Sequence, residues 1–361
     1  MNQDRLLEAL LELLKIDSES GQEAALAALL KEKFEMLGLQ VTIDEAGNLI
    51  ALLVGNQTDI PPILFTCHMD TVKPGIGVKP TIRDGVVYSD GTTVLGADDK
   101  AGIAALLEAL RTIQETNASH GDIQIVLTVG EEVGLIGAKA LNPDMLIAKF
   151  GYALDGGGVV GCQYIAAPSQ VKLFVDVYGK TAHAGVAPEK GVSAITLAGR
   201  AISQMPLGRI DEETTANIGR IEGGTETNVV CEHVRFVAEV RSLVREKLDA
   251  QVQAMKDALE TTAADMGGRV EIKVEDMYGA FKFDEADEVV QVANRGIEKI
   301  GREVQLLHTG GGSDANIFNA HGVPTTILGV GYEEIHTKNE RMPIEELNKL
   351  AELVIAIVET V

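Results

Sequence analysis

The chain has 361 residues, of which 45% are hydrophobic and 24% are charged, so it can form a full core and two domains of ordinary soluble composition. Its 54 acidic residues outnumber its 31 lysines and arginines, and the resulting formal net charge of −23 is most simply explained by solubility. Nucleic acids and anionic membranes bind clustered positive charge, and no apolar run reaches transmembrane length, so neither is an expected partner.

The first part of the chain alternates predicted helices with predicted strands. Residues 4–15 form an amphipathic pattern without a cleavage signature, which indicates a helix rather than a signal peptide and predicts a cytoplasmic protein. The other predicted elements are a helix over 22–37, β-rich runs at 39–43, 48–54 and 62–66, a helix over 98–113, and strands over 122–132 and 149–157. This alternation predicts an α/β domain with a mostly parallel sheet.

Near residue 170 the pattern changes to that of a small α+β unit. Its predicted elements are a strand in VKLFVDVYG (171–179), a helix over 193–205, two strands in TNVVCEHVRFVAEVRS (227–242), a long helix over 245–267 and a strand over 270–277. Beyond it, a helix at 285–301, a Gly-rich loop, the strand TTILGV (325–330) and a helix at 344–360 return to the first pattern. We therefore predict a catalytic domain in two segments, 1–169 and 281–361, interrupted by a ferredoxin-like α+β domain over 170–280.

His68 and Asp70 follow the apolar run that begins at Ile63. In an extended chain, positions i and i+2 point to the same side, so the imidazole and the carboxylate project together. A carboxylate behind a histidine is typical of an oriented metal ligand, although a solvated loop end has the same pattern. Cys67 points to the other face, which predicts a buried core thiol.

Other acidic and imidazole side chains share this kind of position, at the end of a predicted strand or just before a helix: Asp98, Glu131, Glu132, Asp155 and His336. Ligands of open α/β sheets bind at the carboxyl ends of the strands. Carboxylates and imidazoles suit zinc, manganese or cobalt in a hydrolytic site, whereas the three scattered cysteines form no CxxC pair. The number of candidates predicts two ions that share a bridging carboxylate and activate a water.

The residues alone leave two assignments open. Glu131 and Glu132 should diverge on an extended chain, so that one binds metal and the other transfers a proton, but the pattern does not say which. Spacing also does not decide between Asp98 and Asp99 as the bridging carboxylate.

Eight short motifs occur over most of the chain: HMD (68–70), LGADDKAG (95–102), GEE (130–132), LDGG (154–157), GKTAHAG (179–185), GGTETNVV (223–230), GGGSDA (310–315) and IHTKNERM (335–342). In this order they resemble the dizinc superfamily of aminoacylase, carboxypeptidase G, succinyl-diaminopimelate desuccinylase and peptidase T. Two features are most similar to the peptidase T (tripeptide aminopeptidase) branch: the segment GADDKAG (96–102), and Asp155 at a position where many relatives carry Glu.

The resemblance implies a ligand set for each of two divalent ions, zinc in the first place and cobalt or manganese as alternatives. One ion would be held by His68, Asp98 and Asp155, and the other by Asp98, Glu132 and His336. Asp98 would bridge the ions because the family's bridging acid lies two residues before the lysine. Asp70 would orient His68, and Glu131 would be the general acid/base.

The resemblance also implies substrate-binding residues: Asn228, Arg241, Gly311 and Ser313. His183 would reach across a homodimer, formed through residues 170–280, and stabilise the oxyanion in the neighbouring site. Each assignment has a structural alternative. His183 could be a structural histidine in a Gly-rich turn, Arg241 an exposed strand arginine, and residues 310–313 a loop that caps the next helix. Cys231 stands where the family often has Pro, a departure that leaves Asn228 in place.

These observations predict a dizinc exopeptidase that removes the N-terminal residue of tripeptides, with a metal-bridged hydroxide as nucleophile and Glu131 as general acid/base. The same site could instead serve a dipeptidase, a carboxypeptidase or an N-acyl-amino-acid deacylase. A non-catalytic peptide-binding protein would have lost a ligand or the base, and all are present here. A nucleotide-binding protein is excluded because the chain has neither a GxGxxG turn after a first strand nor a P-loop lysine.

Overall fold

The computed structural model describes residues 1–361. Its α-helices are α1 (Gln3–Leu14), α2 (Ala24–Met36), α3 (Ala97–Thr116), α4 (Ile136–Ala140), α5 (Ala194–Gln204), α6 (Arg245–Met266), α7 (Glu288–Lys299), α8 (Asp314–Ala320) and α9 (Ile344–Val358). Its first eight strands are β1 (Gln40–Ile43), β2 (Leu49–Leu53), β3 (Ile63–His68), β4 (Thr81–Arg83), β5 (Val86–Tyr88), β6 (Ile123–Thr128), β7 (Phe150–Gly156) and β8 (Cys162–Ala167). The others are β9 (Ser169–Tyr178), β10 (Gly208–Arg209), β11 (Thr214–Gly223), β12 (His233–Ser242), β13 (Arg269–Tyr278), β14 (Phe281–Lys282), β15 (Gln305–His308), β16 (Thr325–Gly329) and β17 (Arg341–Pro343). None of the helices is both long and apolar enough to span a lipid bilayer.

The chain divides into two compact units. The first consists of residues 1–166, 283–309 and 313–361, and the second of residues 167–282 and 310–312. Each unit has its own cluster of buried apolar side chains, so the chain has two separate main cores.

A mixed sheet forms the centre of the first unit. From one edge its strands run β1, β2, β6, β3, β7, β16 and β8, with β15 beside β8. The four central strands, β6, β3, β7 and β16, are parallel to one another. The other pairs are antiparallel: β1 with β2, β2 with β6, and β8 with β16. The predicted mostly parallel sheet is confirmed. Because the central strands are parallel, their carboxyl ends meet at one edge of the sheet.

Burial on both faces explains why these strands are almost continuously apolar. Successive side chains of a strand point to opposite faces, so Phe65 joins the large cluster with α1, α3 and α9, whereas Leu64 joins a smaller one with Phe318 of α8. Cys67 lies in the large cluster and is buried, as predicted.

The second unit is an antiparallel sheet in the order β10, β11, β12, β9 and β13, with apolar residues of α5 and α6 in its core. Its longer elements follow the β-α-β-β-α-β order of ferredoxin-like domains. The prediction of two strands within residues 227–242 is wrong. Residues 226–229 form a turn, in which Val229 N–H donates to Glu226 O (3.2 Å), and Val230 follows it outside any strand. The second strand is β11, upstream.

Candidate active site

The edge where the central strands end gathers the predicted metal ligands of the first unit. His68 ends β3, and Asp155 is the next-to-last residue of β7. Asp98 lies at the start of α3 but has non-helical dihedral angles (φ −80°, ψ 102°), so its side chain is not carried by a regular helical turn. Glu132 lies in the turn after β6, and His336 lies in the loop after β16 with φ +62°.

The carboxylate of Asp98 lies between the two imidazoles. One oxygen, Oδ1, is 3.0 Å from His68 Nε2, and the other, Oδ2, is 3.2 Å from His336 Nε2. His336 Nε2 is also 2.9 Å from Glu132 Oε1, and His68 Nε2 is 3.7 Å from Asp155 Oδ1. Five side chains from distant parts of the sequence are therefore linked through Asp98.

Two groups of side chains place their ligand atoms within 4.8 Å of one another: His68, Asp98 and Glu132, and His68, Asp99 and Asp155. Asp99 is fully buried; its Oδ2 accepts the backbone N–H of His68 (3.2 Å), and its Oδ1 has no partner. Asp98 alone contacts both imidazoles, whereas Asp99 is the carboxylate grouped with His68 and Asp155. The structure thus keeps Asp99 as an alternative ligand on the His68 side.

Asp70 contacts His68 mainly through its backbone. His68 Nδ1 lies 2.8 Å from the carbonyl oxygen of Asp70 and 3.5 Å from its carboxylate. The carboxylate instead accepts hydrogen bonds from Ser20 Oγ (2.7 Å) and from the backbone N–H groups of Glu131 (2.9 Å) and Glu132 (3.2 Å). Asp70 therefore joins the end of β3 to the turn after β6, a role that the i, i+2 pattern did not indicate.

The expectation of an extended chain at Glu131 and Glu132 is wrong. Strand β6 ends at Thr128, Gly130 has φ +61°, and the N–H groups of Gly134 and Leu135 both donate to Glu131 O (2.9 Å each). The two glutamates lie in this turn and still differ in their contacts. Glu132 pairs with His336, whereas the carboxylate of Glu131 makes no ion pair with either imidazole.

The cluster has an excess of buried negative charge. Burial raises the pKa of Asp155, and burial followed by the charge of Asp155 raises the pKa of Glu131 well above its usual range. Asp98 differs because its hydrogen bonds with His336 and His68 outweigh burial and lower its pKa. Asp98 and Asp155 form ion pairs with histidines, and none of these three carboxylates pairs with a lysine or arginine. The nearby Lys100 ammonium donates to Ile16 O (2.7 Å).

This donor set fits divalent cations. Imidazole nitrogens and carboxylate oxygens are the ligands that zinc, cobalt and manganese share, and the site contains no thiolate that would indicate a structural zinc. A cation would also neutralise the carboxylates that burial penalises. The residues present can therefore hold metal ions at this edge of the sheet.

His183 and Asn228 belong to the second unit, where two exposed loops meet. Ala184 N–H donates to Asn228 O (2.9 Å), and His183 forms a β-bridge with Val229. The Nδ1 atom of His183 accepts the N–H of Gly185 (3.2 Å), so the neutral ring carries its hydrogen on Nε2. The imidazole thus has an N–H donor available, as the predicted oxyanion role requires.

The remaining predicted substrate residues have structural partners. Arg241 on β12 pairs with Glu239 through Nε (3.0 Å) and Nη2 (3.2 Å) and donates to Gly310 O (3.1 Å). Ser313 Oγ accepts the N–H of Ala315 (3.2 Å) and caps α8. Gly311 lies between Gly310 and Gly312 in the short segment that belongs to the second unit.

Three residues that support the site were not predicted from the sequence. Tyr332 donates its hydroxyl to Asp155 Oδ1 (3.3 Å). Asp314, in GGGSDA, is buried, accepts the hydroxyl of Thr128 on Oδ2 and has no partner on Oδ1, and burial raises its pKa to about 7. Glu340, in IHTKNERM, is buried beside α3. Asp314 and Glu340 could have been noticed as acidic residues inside the motifs, but a motif does not reveal which group an acidic side chain contacts.

Comparisons with known proteins identify the family and similar folds. The model of peptidase family M20/M25/M40 matches residues 64–360. The crystal structure of aminopeptidase PepT from Bacillus cereus ATCC 10987 is 56% identical, with a TM-score of 0.94 over 100% of this chain and 99% of that one. A tripeptidase from Staphylococcus aureus subsp. aureus Mu50 is 49% identical, with a TM-score of 0.97 over 99% and 98%. Peptidase T of Escherichia fergusonii is 30% identical over 99% of this chain and 98% of its own length.

Proposed function

The chain belongs to peptidase family M20/M25/M40, and from that membership we propose that it is a cytoplasmic metallo-aminopeptidase that removes the N-terminal residue of tripeptides. The observation that carries the proposal is the Asp98 carboxylate between the imidazoles of His68 and His336, with Glu131 next to the His336 partner Glu132 in the turn after β6. The names of the two similar crystal structures, an aminopeptidase and a tripeptidase, support the substrate class.

Two divalent ions fit the ligands proposed, zinc in the first place and cobalt or manganese as alternatives. His68, Asp98 and Asp155 would hold one ion, and Asp98, Glu132 and His336 the other, with Asp99 as the alternative to Asp98 in the first set. When bound, such ions polarise the scissile carbonyl and lower the pKa of a water molecule to about 7.

Glu131 is the proposed general acid/base. Its carboxylate takes a proton from the attacking water as the oxygen–carbon bond forms, and it gives that proton to the amine nitrogen as the carbon–nitrogen bond breaks. Burial and the charge of Asp155 both raise the pKa of Glu131, which favours retention of the proton between the two steps. Asp70 positions this residue, since it accepts the Glu131 backbone N–H at 2.9 Å.

The second unit is the proposed dimerisation and lid domain, and His183 is its proposed catalytic residue. The Nε2–H group of the neutral imidazole would donate to the oxyanion of the tetrahedral intermediate in the neighbouring subunit. Asn228, Arg241, Gly311 and Ser313 remain proposed contacts to the substrate.

A peptide panel tests the function. Purified protein supplied with zinc, cobalt or manganese is incubated with tripeptides, dipeptides and N-acetylated tripeptides, and the products are identified by mass. We expect release of the N-terminal residue from tripeptides and no release when the N-terminus is acetylated. Release of the C-terminal residue would indicate a carboxypeptidase, cleavage of dipeptides alone a dipeptidase, and removal of the acyl group a deacylase.

His183→Ala is expected to lower kcat by about 10²- to 10³-fold, the usual effect of removing one oxyanion donor. The matched control is His233→Ala, a histidine of the same unit that pairs with Asp176, which should retain activity. Mixing His183→Ala with Glu131→Ala chains should restore about a quarter of wild-type activity, because half of the dimers are mixed and each has one complete site. If the mixture stays as inactive as its parents, the site is not shared between subunits.

A further inference from the structure

Asp98 lies in a backbone segment that helix hydrogen bonds do not fix. Helix α3 begins at Ala97, but neither Asp98 nor Asp99 (φ −119°, ψ 27°) has helical dihedral angles, and the preceding Gly96 has φ +76°. The first N–H groups of a helix have no partner within the helix, so another part of the protein has to satisfy those of residues 95–98.

The carboxylate of Glu340 accepts three of these N–H groups. Its Oε2 accepts those of Leu95 (2.9 Å) and Gly96 (2.8 Å), and its Oε1 accepts that of Asp98 (3.0 Å). Glu340 is 2% exposed, so these bonds are shielded from water. A buried carboxylate that accepts three backbone N–H groups restricts both the position and the rotation of the peptide units that carry Asp98.

Glu340 comes from the same loop as His336. Backbone hydrogen bonds between Glu333 and Arg341 close this loop in both directions (2.9 and 3.0 Å), and β17, which begins at Arg341, pairs with β5. The closed loop therefore contacts Asp98 at two points. His336 Nε2 contacts the Asp98 carboxylate, and the Glu340 carboxylate accepts the Asp98 backbone N–H.

We propose that Glu340 is a positioning residue of the metal centre, which holds the Asp98 carboxylate in place between His68 and His336. The inference rests on the proposed function, since it takes these three residues as metal ligands. Glu340 itself belongs to neither group of side chains that could hold a metal ion, and both of its oxygens accept backbone N–H groups. Outer partners of metal ligands typically contribute about 10- to 100-fold to metal affinity.

Glu340→Gln tests the proposal with little change in shape. A carboxamide has one acceptor oxygen, so in either orientation its NH2 group faces at least one N–H that the carboxylate accepted. Titration of the chelator-treated protein with Co²⁺ should show about 10- to 100-fold weaker binding, and the visible absorption of the bound cobalt should change. Glu108→Gln is the matched control, because Glu108 is also buried and accepts a backbone N–H, that of Asn2 (2.7 Å), far from the ligands on α3.

A folded Glu340→Gln protein with wild-type cobalt affinity and absorption would overturn the inference, as would an equal loss of affinity in Glu108→Gln. If Glu340→Gln does not fold, Glu340→Asp keeps the charge with one methylene less, and the same loss is expected of it. Wild-type binding by that variant would equally overturn the inference. If the wild-type chain itself binds no cobalt, the proposed function fails instead, so the two failures are distinguishable.

Discussion

Glu131→Ala is expected to lower kcat for tripeptide hydrolysis by about 10²- to 10⁴-fold and to leave metal binding intact. The reason is the difference between the two neighbouring glutamates. The Glu132 carboxylate lies 2.9 Å from His336 Nε2, within the proposed ligand set, whereas that of Glu131 makes no ion pair with either imidazole. Removal of Glu131 therefore takes away the proton carrier and leaves the ligands in place. Steady-state kinetics and the zinc content of the purified variant measure the two effects.

Glu132→Ala is the matched control, since it removes the same group one residue along the turn. We expect this variant to lose both activity and bound metal, because His336 and Asp98 lose the carboxylate that completes their ligand set. Retained turnover in Glu131→Ala would exclude this residue as the base. Loss of metal from Glu131→Ala and not from Glu132→Ala would reverse the two assignments.

Asp98→Asn is expected to weaken the binding of both metal ions by more than about 100-fold. That is the upper end of the loss seen when a residue that only hydrogen-bonds to a metal ligand is replaced, and Asp98 is itself a proposed ligand. Asp98 is the one carboxylate within hydrogen-bond distance of both imidazoles, 3.0 Å from His68 and 3.2 Å from His336. The amide keeps the shape but removes the charge and one of the two acceptor oxygens, so it cannot serve both sides. Activity should fall to that of the chelator-treated wild type.

Asp99→Asn separates the two ligand sets that remain open. If Asp98 bridges the ions, Asp99→Asn should retain both; if Asp99 replaces it beside His68 and Asp155, this variant should lose one ion per chain. Chelation of the wild type should abolish activity, and zinc, cobalt or manganese should restore it. Activity that is indifferent to a chelator would contradict a metal-dependent mechanism altogether.

Local pattern was enough to predict most of the fold. The apolar runs of β3 and β6 are buried along their whole length and were predicted correctly as strands, because a parallel strand that is covered on both faces has no polar alternation. Strand β11 was missed since most of its residues beyond Ala216 are exposed and their sequence has no clear period. The prediction at residues 227–230 failed for the opposite reason, because the two valines there suggest a strand, whereas Val229 closes a turn and Val230 lies in the loop after it.

The sequence by itself determined which side chains could meet: His68, Asp155 and His336 follow or end strands whose carboxyl ends necessarily share an edge once the sheet is parallel. Tertiary structure alone decided how they meet. It put Asp98 between both imidazoles, turned the chain at Glu131, and brought Glu340 to an N–H 242 residues away along the chain. Periodicity and spacing describe what neighbouring residues do, whereas a hydrogen-bond partner depends on the closure of distant loops, which no local pattern encodes.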